Sequence, residues 1–334
     1  MKYCIITWVL LFFLPIKIFA QDKVLIFTKT NGFSHPSIDE GATLIKQLGK
    51  DNGLWTTVTT NDSAEFTTEN LSDYKVVVWC NTSGNNLLNE TQQKAFEDFV
   101  KNGGGFVGIH AATDTYRDQS WPFYNELVGG IVRTNPNHTD SNFSATMQVT
   151  SSHPAVNFLG NSWTKVEEYY YWEGNGGFLY DQNINILEVE STGNEIYDEA
   201  RPVAWYKEYE GGRSFYTALG HNETDYTEDE DFKKHIEEGI KYALGLTLNF
   251  SPVAVNKSEI SLLNNPVEDI LAFHNTNNSI IEDISIYTIQ GNLVLSKEIA
   301  TDAVAIDVSV LPSGLYIAKA TVRNKNQVFR FIKK

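Results

Sequence analysis

Between Lys23 and Ile109, short apolar runs alternate with longer stretches of helical spacing. KVLIF (Lys23–Phe27), LWTTVTT (Leu54–Thr60), KVVVWC (Lys75–Cys80) and FVGI (Phe106–Ile109) each read as a strand. The first, third and fourth are apolar at nearly every position, as strands covered on both faces are. Between them, IDEGATLIKQLG places Ile38, Leu44, Ile45 and Leu48 on one helical face, with Gly49 as its stop. NETQQKAFEDFVKNGGG does the same with Phe96, Phe99 and Val100 and ends on glycine. This alternation predicts an α/β fold with a doubly wound, mostly parallel sheet. Such sheets carry their sites beyond the carboxyl ends of strands, near a topological switch point.

From about Thr113 to Arg201 the pattern is irregular and rich in Asn, Tyr and Trp, as in VEEYYYWEGNGG. Insertions of this kind on an α/β core build substrate walls. Regular patterning returns as a hairpin, VAWYKEY, turn Glu210-Gly211-Gly212, RSFYTALG, and then DEDFKKHIEEGIKYALG with Phe232, Ile236, Ile240 and Leu244 on one helical face. Residues 247–259 read as a linker. Residues 260–334 are short alternating strands with turns at Gln290-Gly291 and Pro312-Ser313-Gly314, which predicts a small β-sandwich.

Residues 1–20 have a basic start, an apolar stretch from Ile5 to Leu14 and a small-residue site at Ile18-Phe19-Ala20. This is the pattern of a secretory signal peptide, with the first folded domain at 21–246. Its removal takes Lys2 and Lys17 with no acid, leaving 24 basic against 42 acidic residues and a net charge of −18. That charge disfavours nucleic acid and anionic lipid as partners. Cys4 leaves with the signal peptide, so Cys80 stands alone as a buried or strand-end thiol and no disulfide is expected.

The stretch GGGFVGIHAATDT (Gly103–Thr115) holds the first candidate chemistry. Small residues around His110 suit a sharp strand-to-helix elbow, which pushes one side chain up at the sheet edge. A nucleophile elbow carries Ser or Cys; imidazole there points to acid/base work or metal ligation instead. His221 ends RSFYTALGH, and His35 lies in the loop after the first strand, so three histidines share one sheet edge. They are the candidate ligands for zinc or another divalent ion, without any short metal-binding motif. Asp114, four residues after His110, caps a helix started at the elbow or orients the imidazole. Tyr116, Trp121, Tyr170 and Trp172 are candidate platforms for the apolar faces of sugar rings. His138 and His153 fall in loops, while His235 on the last helix and His274 in the β-rich tail read as surface residues.

These residues lie in segments that resemble the ThuA-like (trehalose utilisation) family, a branch of the class I glutamine amidotransferase-like fold, itself flavodoxin-like. The matching segments are NGFSHPSI, GGGFVGIHAATDT, NELVGGIVRTNPNH, SSHPAV, VEEYYYW and PVAWYKEYEGGRSFYTALGH. The resemblance implies that His110 stands where the amidotransferase cysteine would, with His221 near that fold's catalytic histidine. It also implies that Glu168 is an acidic site residue beside them. With no Cys or Ser at the elbow, amidotransferase activity is not expected. NNPVEDILAF, DISIYTIQGNLV, AIDVSVLPSGLYIAKA and FRFIKK resemble the type A sorting domain of the type IX (Por) secretion system. That implies export to the cell surface or beyond, with the secretion machinery as a partner.

The expectation is therefore an exported carbohydrate-active enzyme, a hydrolase or lyase acting on a sugar or keto-sugar glycoside. His110, His221 and Glu168 are its catalytic candidates, and His35, Asp114, Tyr116 and Trp172 bind substrate. The alternative is a non-catalytic glycan-binding protein on the same fold.

Overall fold

The computed structural model describes residues 21–193, 198–246, 260–263, 266–275, 281–288, 292–301, 304–322 and 325–334. The predicted signal peptide, the linker and the turn at Gln290-Gly291 lie outside them. The chain divides into two units, Met1–Asn249 and Phe250–Lys334.

The first unit opens with β1 (Asp22–Phe27), α1 (Ile38–Asn52), β2 (Trp55–Thr60), α2 (Thr68–Leu71), β3 (Val76–Cys80), α3 (Glu90–Lys101) and β4 (Gly105–Ile109). After α4 (Pro122–Val128) and the short strand β5 (Gly130–Ile131) come β6 (Phe143–Val149), β7 (Ser162–Glu167), the short β8 (Phe178–Leu179) and β9 (Ile184–Val189). The hairpin β10 (Arg201–Tyr209) and β11 (Gly212–Thr217) leads to α5 (Glu223–Thr227) and α6 (Glu230–Ala243). One nine-stranded sheet runs β2-β1-β3-β4-β11-β10-β9-β6-β7. Its first five strands pair in parallel, in the order typical of flavodoxin-type sheets. β3 and β4 are buried at every residue, as their unbroken apolar runs require.

The last four strands pair antiparallel, so the sheet is mixed. The segment that looked irregular in sequence supplies β6, β7 and β9. Their signal is weak because β7 alternates polar residues with an inward face that itself holds Lys165 and Glu167 beside Trp163. α1 runs three residues past Gly49, to a left-handed cap at Gly53. Gly49 is a contact rather than a stop: a Cβ there would sit 2.5 Å from the Trp55 ring. No helix among the described residues is long and apolar enough to cross a membrane.

The second unit has a three-stranded sheet of β12 (Ile260–Leu262), β13 (Ile270–Asn275) and β16 (Val304–Asp307). A four-stranded sheet is built from β14 (Ile281–Thr288), β15 (Leu293–Thr301), β17 (Gly314–Val322) and β18 (Lys325–Lys333). Leu271, Phe273 and Ile306 from the first share a core with Ile284, Ile286, Ala318 and Phe331 from the second, the layering of a small sandwich.

Candidate functional site

Strand β4 ends at Ile109, and the backbone turns into a 3-10 helix over His110–Asp114. His110 itself has φ 45°, a left-handed conformation that costs a non-glycine residue about 1–2 kcal/mol. The surroundings hold it there. The Tyr216 hydroxyl donates to the His110 carbonyl at 2.8 Å, and that of Tyr124 to Ala112 at 2.8 Å. The small neighbours are needed for space: Ala111 and Ala112 are fully buried, and a Cβ on Gly108 would meet the Tyr216 ring at 3.0 Å.

His35 follows β1, His110 follows β4 and His221 follows β11, all at the carboxyl edge of the parallel strands. Glu168 comes from the end of β7. One potential ligand atom from each of the four residues lies within 4.8 Å of all the others. His110 Nε2 is 3.3 Å from His221 Nδ1, 3.6 Å from Glu168 Oε1 and 3.1 Å from the Tyr170 hydroxyl. The Tyr170 ring stacks on His110, and the His35 ring meets His110 edge-on at 4.7 Å. His110 Nδ1 donates to the Ala218 carbonyl at 2.6 Å. His35 Nδ1 is buried with no hydrogen-bond partner.

The cluster borders a cavity of about 430 Å³, lined also by Phe33, Pro36, Asp114, Val132, Asn137, His138 and Ser141. That is the size of small-ligand sites. Burial pushes the Glu168 carboxyl up in pKa, but the hydrogen bond to His110 and the charges of His110, His221 and His138 outweigh it and hold it at about 2. For His110, burial favours the neutral ring; Glu168 and Glu167 overcome it and raise the pKa. Burial and the facing histidines lower His221, and lower His35 to about 3. The Glu168 carboxylate thus favours a positive charge beside it, as a proton on His110 or as a cation.

Among the sequence candidates, His35, His110, His221 and Glu168 come together, and Asp114 lines the cavity. Asp114 pairs with Arg117 at 2.9 Å and closes the 3-10 helix rather than capping its start. Tyr116 and Trp172 do not reach the cavity. Tyr116 is fully buried with its hydroxyl bonded to the backbone of Leu88. Trp172 is 1% exposed, donates to the Pro202 carbonyl and packs against Trp205. Both are core residues: the Tyr116 ring packs against Trp121 and Tyr124, and the Trp172 ring against Trp205 and Tyr216. His235 is also fully buried, bonded to the Ala155 carbonyl, and not on the surface. His153 packs against Tyr206 and Tyr242, away from the cluster. The side chain of His274 lies outside the described residues.

Sequence reasoning missed two contributors. His138 lines the cavity with Nδ1 3.3 Å from Glu168 Oε2 and 2.6 Å from the Thr139 carbonyl. Glu167, fully buried, accepts the backbone N–H groups of Glu168, Gly220 and His221 at 2.8–3.0 Å. Burial and the nearby Asp225 carboxylate raise its pKa. The three N–H donors favour its ionised form. The adjacent acids in VEEYYYW carry the signal, since successive residues at a strand end face opposite sides.

Sheet order, elbow and histidine pocket define the class: a flavodoxin-type α/β protein whose elbow presents imidazole where a nucleophile would stand. The chain belongs to the trehalose utilisation (ThuA) family, whose model matches residues 23–243. Residues 263–334 match a secretion system C-terminal sorting domain, which points to type IX export and a secreted or cell-surface protein. Among solved structures, a ThuA-like protein from Bacteroides uniformis is 21% identical with a TM-score of 0.53, covering 67% of this chain and 93% of its own. One from Parabacteroides merdae is 20% identical with a TM-score of 0.53, covering 71% of this chain and 96% of its own. At these identities the likeness is one of fold. Among curated proteins nothing matches.

Proposed function

We propose that the chain is an exported, metal-dependent hydrolase or lyase acting on a sugar or keto-sugar glycoside. The observation that carries this is the convergence of His35, His110, His221 and Glu168 at the cavity. These four residues would hold the ion. For N and O ligands about 2.0–2.1 Å from a tetrahedral ion, neighbouring ligand atoms stand about 3.3–3.4 Å apart. The 3.3 Å and 3.6 Å separations around His110 Nε2 suit that spacing. The Ala218 carbonyl accepts the Nδ1–H hydrogen bond, which leaves the Nε2 lone pair directed inward, the usual support for a ligating imidazole. Three imidazoles and a carboxylate suit zinc. A divalent ion that kept one position open there, or expanded to five ligands, would supply Lewis acidity toward a sugar oxygen or water.

The chain's own groups have distinct tasks. Tyr170 stacks on His110 and keeps its plane fixed. Glu167 holds the backbone of Glu168 and His221 in register. His138, steadied by Glu168 and Thr139, is the imidazole left over and is placed to hold or pass a proton at the cavity wall. The family's description, trehalose utilisation, supports a sugar as substrate. The test is a turnover screen with trehalose, keto-glycosides and simple glycosides, with and without chelator. Product formation abolished by chelator and by His110→Ala is expected. Sugar binding without product, retained in His110→Ala, would favour the non-catalytic glycan binder.

A further inference from the structure

We infer that Phe33 is the stacking platform for an uncharged sugar ring at the mouth of the cavity; this rests on the carbohydrate reading above. Phe33 is 63% exposed, and it is the one aromatic among the exposed large hydrophobic residues described. A single exposed apolar side chain needs no explanation by itself. Phe33 differs in its place and in its support. It lines the cavity, and its ring meets His35, one of the clustered histidines, edge-on at 4.8 Å.

The loop that carries it is fixed from several sides. The N–H groups of Asn31 and Gly32 donate to the Ser83 carbonyl at 2.9 and 3.2 Å, and the Ser83 hydroxyl donates back to the Phe33 carbonyl at 2.5 Å. The Asn31 amide reaches the carbonyls of Asn85 and Asn86. An apolar ring is therefore held against water on a rigid backbone beside the candidate reaction centre. Preorganisation of this kind lowers the ordering cost of a ligand that covers the ring.

The chemistry of that ligand follows from the lining. A flat phenyl face takes the C–H face of a pyranose and offers it no hydrogen bond. Asn137 and Ser141 supply neutral polar groups for hydroxyls, and the Asp114 carboxylate in the lining disfavours an anionic substituent on the ring. The ring is thus that of a neutral sugar. Tyr116 and Trp172, the platforms suggested by sequence, are buried; Phe33 takes the role expected of them.

The experiment measures binding of trehalose and methyl glucosides, with glucose 6-phosphate as the charged counterpart, to the wild-type chain, Phe33→Ala, Phe33→Leu and Phe33→Trp. The expected result is neutral sugar binding in the wild type, weakened about tenfold in Phe33→Ala and Phe33→Leu and kept in Phe33→Trp, with Tm and metal content unchanged. Equal binding by wild type and Phe33→Ala overturns the platform and leaves the carbohydrate reading standing. Preference for the phosphorylated sugar overturns the neutral class. A wild-type chain that binds none of the sugars overturns both this inference and the reading beneath it.

Discussion

Glu167 accepts the backbone N–H of His221 at 3.0 Å, and its second oxygen takes that of Gly220 at 2.8 Å. One buried carboxylate thereby ties the end of β7 to the loop after β11. Lys165 reinforces the tie through Asp225 and through Asp229 at 3.0 Å. Glu167→Gln keeps the shape but turns an NH₂ group toward backbone donors. Loss of charge-assisted bonds and an unpaired buried donor cost about 2–4 kcal/mol, so Tm falls by several degrees. Zinc affinity at the proposed site should fall about 10–100-fold, as for other groups that orient ligands. Thermal denaturation and a metal titration check this; unchanged values in both refute the tie.

Trp172 is a packing residue, so Trp172→Ala should act on stability. Removing a buried tryptophan costs about 3–5 kcal/mol, and its Nε1 bond to Pro202 goes with it. Calorimetry should show a lower Tm. Full stability combined with selective loss of sugar binding would return Trp172 to the binding surface.

Cys80 ends β3 with no exposure, and burial pushes its pKa up to about 12. The thiolate is the reactive species, so iodoacetamide at pH 8 should leave the folded chain unmodified and label it fully in denaturant. Because the folded pKa lies above the unfolded one, this thiol's contribution to stability is present below about pH 9 and is lost as pH rises toward 12. Rapid labelling of the native chain would show that β3 opens readily.

Acid should destabilise the fold before most carboxylates titrate. Burial holds His153 at about 3 and His235 at about 4, so both are neutral when folded. A depressed folded value means that the stability is present above about pH 6.5 and is lost as pH falls below it. His35 and His221 shift the same way, against the raised His110 and Glu167. His235→Leu isolates one contribution: between pH 7 and 5 its Tm should fall less than that of the wild type. Parallel Tm–pH curves for the two chains contradict the assignment.

Much of this was legible in the sequence. The parallel strands announce themselves because both of their faces are buried, leaving unbroken runs such as VVVWC. The elbow was readable because a left-handed His110 beside Tyr216 tolerates only small neighbours. Of the antiparallel extension only the β10–β11 hairpin was; β6, β7 and β9 were not, since the inward face of β7 carries Lys165 and Glu167, paired with residues 50 or more positions away. Tyr116 and Trp172 misled for a related reason: an aromatic near a site in sequence says nothing about which side of the sheet its ring fills. Phe33 and His138 sit in loops, where only the fold decides what faces the cavity.

His35, His110, His221 and Glu168 are proposed to hold a metal ion. Zinc titration of the metal-free chain, followed by elemental analysis after dialysis, tests this most directly. One ion per chain, lost in His110→Ala while circular dichroism shows the fold intact, is the predicted result. A correctly folded wild-type chain that retains no zinc or other divalent ion contradicts it.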